Sequence, residues 1–242
     1  MGLDRTLFFF EDEDAQMRCA ARARSEIAID LQKRQETMYE QERNELEKDR
    51  NELEWQEVSR EHIVQDEWID FRKSVYRFPD GSEFGPFYSY SRRDYVVIVA
   101  TDTEGNYICV RQFRQGIREI TTEFPAGGIE RTDGKTYRGR TGESAYAEDA
   151  LETAKRELRE ETGYISDDWK HLITIPSNAT IADNYAHFFY AANCRKEKEQ
   201  DLDESEFLHV VLHTDAEIDQ LVSRGKFQQA MHVLGWMLAK RG

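Results

Sequence analysis

The 242-residue chain carries a formal net charge of −15 and 12% aromatic residues, enough apolar material for one core of moderate size with an appendage. The acidic balance, with no run of lysine or arginine, excludes a surface built to track nucleic-acid phosphates. A small anionic ligand would have to be held by local arginines and a cation. Three cysteines, Cys19, Cys109 and Cys194, form an odd set without short paired spacing; they argue against a disulfide framework or a zinc site and point to a reducing cytoplasm.

From Met1 to Val64 the chain holds 17 acidic and 10 basic residues, no proline, and Gly2 as its sole glycine, which is helix composition. Phe8-Phe9-Phe10 runs straight into Glu11-Asp12-Glu13-Asp14, so neither a signal peptide nor a membrane span is expected. Ala15 to about Glu61 is predicted as one long helix or two. The RNELE repeat at Arg43 and again at Arg50 places Leu46 and Leu53 one heptad apart, as are Leu31 and Met38. A stable coiled coil needs about two apolar positions per heptad and this stretch offers closer to one. Two readings therefore stay open for residues 1–65: a solvated acidic helix docked on its own domain or a partner, and a self-association device.

At Trp68 the period changes to that of strands, predicted at Trp68 to Arg77, Phe84 to Ser91, Tyr95 to Thr101, Tyr107 to Phe113 and Thr121 to Phe124. Asp80-Gly81 and Glu104-Gly105-Asn106 are the turns between successive pairs. Phe87, Tyr88 and Tyr90 belong to a strand and read as core or interface residues before base-stacking ones. The polar stretch Arg131 to Ser144 reads as a loop. Further strands are expected around Leu172 to Ile175, Tyr185 to Ala192 and Phe207 to His213, with helices from about Asp215 to Ser223 and Phe227 to Lys240. His187 reads as a half-buried strand residue, since no partner motif surrounds it. Mixed strands flanked by helices make an α/β protein.

The segment EDALETAKRELREETGY, from Glu148 to Tyr164, is the most informative in the chain. Ala147, Leu151, Ala154 and Leu158 form the buried stripe of a helix. Glu157, Glu160 and Glu161 share another face, which is expected to point away from the core. Like charges on one helical turn destabilise it by a few tenths of a kcal/mol, about 0.2–0.5 per pair, unless something positive sits against them. Only oxygen ligands are on offer, which favours magnesium, with manganese as the alternative, over zinc. Gly163 supplies the left-handed residue that ends many helices.

Glu148, seven residues on Arg156-Glu157-Leu158, then Glu160-Glu161 and Gly163 resemble the signature of the Nudix hydrolases. The final box position, usually aliphatic, is Tyr164 here, with Ile165 next. Gly142 meets the formal spacing to Glu148. The family's glycine, however, normally follows the preceding strand, so Gly127 or Gly128 in Pro125-Ala126-Gly127-Gly128 is taken as its equivalent, with Arg131 to Ser144 as a loop inserted within the motif. The resemblance implies an α/β/α sandwich with a mixed sheet over residues 66–242, and a pairing of Arg156 with Glu148. It also implies that the N-terminal strands, 68–91, form an extra sheet through which such enzymes dimerise.

Val110-Arg111-Gln112-Phe113-Arg114 followed by Glu123-Phe124-Pro125-Ala126-Gly127 narrows the resemblance to the ADP-ribose and nucleoside diphosphate sugar pyrophosphatases. By that likeness Arg114 contacts substrate phosphate, the Ala126 carbonyl joins Glu157, Glu160 and Glu161 as a metal ligand, and Arg111 and Glu123 lie near the pocket. The acidic loop Leu202-Asp203-Glu204-Ser205-Glu206 resembles the source of the catalytic base, Glu204 first and Glu206 second; without such a role it is a solvated charged loop. The loop Ser177 to Asp183 sits where the family closes over the sugar, but lacks the proline-glycine turn common there. The expected function is metal-dependent cleavage of ADP-ribose or a related nucleoside diphosphate sugar by a homodimer, without nucleic-acid or membrane partners. A Nudix-fold module that senses a nucleotide sugar without cleaving it is the alternative from another class, and a coiled-coil assembly protein is a third.

Overall fold

The computed structural model describes residues 37–50, 52–130 and 149–241. The Phe8–Phe10 run, Cys19, Leu31, the loop Arg131 to Ser144 with Gly142, Ala147 and Glu148 lie outside the described residues. The chain falls into two compact units, Met1–Val58 with Tyr76–Phe84 and Ser59–Val75 with Gly85–Gly242.

Helix α1 (37–50) is exposed along its whole length, with Met38, Tyr39 and Leu46 in the open, so its sparse apolar seam buries nothing among the described residues. The helical extension ends earlier than expected, because Gln56–Gln65 is strand β1. Val58, Ile63 and Val64 there are β-branched, and the charged residues between them had masked a strand preference. In the same unit as α1, the Trp55 ring packs on Phe78 at 4.5 Å and on Tyr76 at 6.0 Å. Strands β2 (Asp70–Arg77) and β3 (Glu83–Ser91) complete a three-stranded sheet in the order β1-β2-β3. Gly81, at φ 84°, makes the turn between β2 and β3 that the Asp-Gly pair predicts.

The second sheet is built from β4 (Tyr95–Asp102), β5 (Tyr107–Arg114), β6 (Glu119–Glu123), β7 (Ala126–Gly128), β8 (Tyr164–Ile165), β9 (Asp168–Pro176), β10 (Tyr185–Lys196) and β11 (Leu208–His213). Its order is β11-β5-β4-β10-β8, with β6 on β5, β7 on β4 and β9 on β10. The β4–β10 pair is parallel and the other pairs are antiparallel, so the sheet is mixed as expected. The short strands β7 and β8 had no apolar alternation to announce them.

The run Val96 to Ala100 is wholly buried, and its two-residue period divides it between two layers. Val96, Ile98 and Ala100 join Ile108, Phe189 and Ala191 against Ala154 and Leu158 of helix α2 (Ala150–Thr162). Val97 and Val99 join Cys109, Phe124 and Phe188 against Ile218 of α3 (Asp215–Ser223) and Trp236 of α4 (Ala230–Ala239). This is the α/β/α sandwich. Helix α2 starts where the Asp149 side chain accepts the Leu151 N–H at 2.7 Å and ends at Gly163, φ 73°. Tyr164, at the usually aliphatic position, is half-buried and packs on the α2-side layer. Truncating Leu158, which has no exposed surface, to alanine is expected to lower the unfolding free energy in urea by about 2–5 kcal/mol. A loss under about 0.5 kcal/mol would contradict this packing.

Candidate active site

Two of the three helix carboxylates are not on a solvated face. Glu157 and Glu161 are 7% and 4% exposed, while Glu160 is half-buried. This corrects the expectation of an outward acidic face: the side chains leave the apolar core but are covered by strand β7. That strand pairs with β4 through Val96 opposite Gly127 and Val97 opposite Ala126, which lays its backbone across the helix. A Cβ at Gly127 would run into the Glu157 carboxylate, so a side chain there would displace the acid. The Ala126 N–H donates to Glu161 Oε2 at 3.2 Å.

Burial pushes the Glu157 carboxyl up to about 7, with Arg156 opposing and Glu160 and Glu206 adding to the rise. Burial and then the Glu157 charge push Glu161 well above the ordinary carboxylate range. Arg156 sits 3.0 Å from Glu157 Oε1 and 2.8 Å from Glu160 Oε2; its expected partner Glu148 lies outside the described residues. The donor set is all oxygen and holds two acids that need positive charge, which fits a hard divalent cation. Among the described residues no three His, Cys, Asp or Glu side chains already converge as a ligand set; Glu160 is turned to Arg156.

The acidic loop is tied to the same helix end. Carbonyls that a helix C-terminus leaves open are taken up by the segment before the loop: Asp201 N–H donates to Glu160 O at 2.9 Å, Glu197 N–H to Gly163 O at 2.8 Å, and Gln200 Nε2 to Glu161 O at 2.6 Å. A Cβ on Gly163 would strike Lys198 O. Beyond this anchor Glu204 is exposed and Glu206 half-buried, and it is the Glu206 charge that reaches both Glu157 and Glu161.

A cleft of about 550 Å³ is lined by Arg114, Ala126, Gly127, Gly128, Tyr90 and Tyr95, together with Trp68, Arg92, Arg93 and His232. Arg114 ends β5, and its Nε donates to Glu123 Oε1 at 2.8 Å. Its charge also lowers Glu161. Arg111, by contrast, is exposed and does not line the cleft. The loop Ser177 to Asp183 reaches the rim: Ser177 Oγ donates to the Tyr95 hydroxyl at 3.2 Å, and Asp183 accepts from Arg72 Nη2 at 3.1 Å. Tyr88 stacks on Phe71 instead. His187 is half-buried on β10 with Nδ1 3.1 Å from Thr174 Oγ1.

Trp68, Arg92, Arg93, Tyr95 and His232 escaped the sequence reading. An Arg-Arg pair between two strand patterns in so acidic a chain, and a lone histidine in the apolar helix AMHVLGWMLA, were the signals available.

A family model described as the NUDIX domain matches residues 91–234, more than half of the chain, and the chain belongs to the Nudix family. It is similar to the ADP-ribose pyrophosphatase of Bacillus subtilis (strain 168), 28% identical over 166 residues that cover 66% of this chain and 78% of that protein. It is also similar to the methanol dehydrogenase activator of Bacillus methanolicus, 29% identical over 140 residues, 57% of this chain and 68% of that one. A crystal structure of an ADP compounds hydrolase shares the fold with a TM-score of 0.62 at 20% identity, over 78% of this chain and 93% of its own.

The direction of the Glu157 shift gives a test. Its carboxyl rises from 4.5 to about 7 on folding, so the folded state holds the proton more tightly. That stability is complete below 4.5 and is lost as pH rises to about 7. His232 works in the opposite sense, since burial lowers it from 6.5 to about 4; its contribution is complete above 6.5 and is lost as pH falls. Comparing melting temperatures in EDTA and in magnesium isolates the carboxylates. The gap between the two is expected to widen from about pH 5 to about pH 8, and to narrow in Glu157→Gln. A gap that ignores pH would contradict the cation reading.

Proposed function

We propose that the protein hydrolyses the diphosphate bond of ADP-ribose or a related nucleoside diphosphate sugar, with a divalent cation, to give a nucleoside monophosphate and a sugar phosphate. The observation that carries this reading is the meeting of Arg114 with the Ala126–Gly127 backbone in one cleft, the same backbone that packs on the Glu157 carboxylate and bonds Glu161. The cleft has the size of a small-molecule site, with arginines for phosphates and aromatic rings for a base or sugar. Similarity to the Bacillus subtilis ADP-ribose pyrophosphatase supports the substrate class.

Glu157, Glu160, Glu161 and the Ala126 carbonyl would hold the cation, magnesium with manganese as the alternative. Bound there, it would neutralise phosphoryl oxygens and acidify a water. Arg114 contacts the diphosphate. Glu206 takes the proton of the attacking water, and it moves ahead of Glu204 because its charge is felt by both buried acids. The water oxygen bonds to one phosphorus while the bridging P–O bond breaks, and the bridging oxygen leaves on the other phosphate. Arg111, exposed and outside the cleft lining, is given no role.

Glu161→Gln removes a charge and almost no volume. Turnover is expected to fall by about a hundredfold or more with the circular dichroism spectrum unchanged; an unchanged rate would overturn the assignment. Product analysis of the full chain with magnesium against ADP-ribose, ADP-glucose, GDP-mannose, UDP-sugars, coenzyme A and dinucleoside polyphosphates identifies the substrate. Binding without products from any of them would favour the sensing module.

We further read the assembly as a cytoplasmic homodimer formed through the N-terminal strands, where Ile63, Val64 and Tyr88 are exposed. Among the described residues no helix is long and apolar enough to cross a membrane. Sedimentation is expected to give a dimer, and Ile63→Glu with Tyr88→Glu a monomer; a wild-type monomer would contradict this.

A further inference from the structure

Glu123 closes strand β6 and has no exposed surface at all, yet it is a carboxylate. Its Oε1 accepts from Arg114 Nε at 2.8 Å and from Thr121 Oγ1 at 3.1 Å. Its Oε2 is sealed from solvent and has no hydrogen-bond partner among the described residues. Stability does not account for such a group. A buried ion pair seldom outperforms apolar packing of the same volume, and an unpartnered buried oxygen is a cost. Its charge must serve something else.

What Glu123 touches is the arginine that lines the cleft. Arg114 remains 33% exposed at its side chain while its partner is wholly buried, so one end of the pair is anchored and the other faces the ligand space. The bond takes up Nε. Glu123 therefore leaves the two terminal amino groups free of itself, and these form the end-on edge of the guanidinium fork that suits phosphate oxygens. An arginine on a flexible stem loses rotamer entropy when it binds; one clamped at Nε has already lost it.

The surroundings protect this arrangement. His232 lies close enough to feel the Glu123 charge, and its Nδ1 accepts the Phe124 N–H at 3.0 Å, which places any ring proton of the neutral form on Nε2. Burial holds the ring neutral, down to about 4. A second cation that would compete with Arg114 for Glu123 is thereby removed.

We propose that Glu123 is the positioning residue of the cleft, clamping Arg114 at Nε so that its terminal amino groups meet the substrate diphosphate. The proposal rests on the reading of Arg114 as a phosphate contact. Glu123 then governs affinity for phosphate and leaves the chemical step, carried out at the helix carboxylates, nearly untouched.

The test uses the full chain, with inorganic pyrophosphate and ADP as probes in calorimetry and with steady-state kinetics on the substrate. E123Q keeps the volume and removes the charge. Probe affinity is expected to weaken and KM to rise by about tenfold, with kcat within about threefold. The unfolding midpoint should hold or rise, since a half-satisfied buried charge is gone. E123D, which keeps the charge, should recover part of the affinity, and in an R114A background E123Q should add nothing. If R114A binds pyrophosphate and ADP as wild type does, the phosphate role of Arg114 fails and this proposal with it. If R114A weakens binding but E123Q does not, or if E123Q weakens it equally without Arg114, the proposal alone falls and the cleft reading stands. A kcat loss equal to the KM change, with a lowered midpoint, would show Glu123 to be merely structural.

Discussion

The packing of strand β7 across the acidic face of α2 is the constraint on which the site depends. Gly127 leaves no room for anything but the Glu157 carboxylate, and the Ala126 N–H holds Glu161. Two like charges are thereby forced together out of water, an arrangement that costs several kcal/mol unless a proton or a cation relieves it. Burial is the larger cause of the raised proton affinity of both acids, and the Glu157 charge adds to it at Glu161. A helix with the same glutamates facing solvent would show no such demand.

Everything else arranges partners around that point. The two-layer burial of β4 fixes α2 on one face and α3 with α4 on the other, and β7 rides on β4 in antiparallel register. The segment after β10 is stapled to the carbonyl end of α2, which carries Glu206 to the acids. The β5–β6 pairing places Val110 opposite Glu123 and Arg114 opposite Glu119, and so brings Arg114, bonded to Glu123, into the cleft lining. Helix α4 adds His232 to the lining.

Much of this was legible in the chain. The helix stripe at Leu151, Ala154 and Leu158, the left-handed Gly163, the unbroken apolar run of β4, and the Asp-Gly and Glu-Gly-Asn turns each have a local physical cause, and local causes can be read from sequence. What was not legible depended on distant packing. The burial of Glu157 and Glu161 is caused by β7, three residues with no periodicity of their own. That Glu204 is exposed and Glu206 half-buried is a matter of two residues in a loop. Trp68, Arg92 and His232 come to one cleft from a turn, an interstrand link and the last helix. The strand at Gln56–Gln65 was hidden by charged composition that reads as helix when its β-branched residues are weighed too lightly.

The central claim is that Glu157 and Glu161 are held together for a divalent cation that takes the place of their protons. Calorimetric titration of the full chain with magnesium near pH 6, in buffers of different ionisation enthalpy, counts the protons released directly. The account predicts release of about one proton or more per cation bound, with binding and release both lost in Glu161→Gln. Cation binding without proton release, or binding that survives that substitution unchanged, would contradict it.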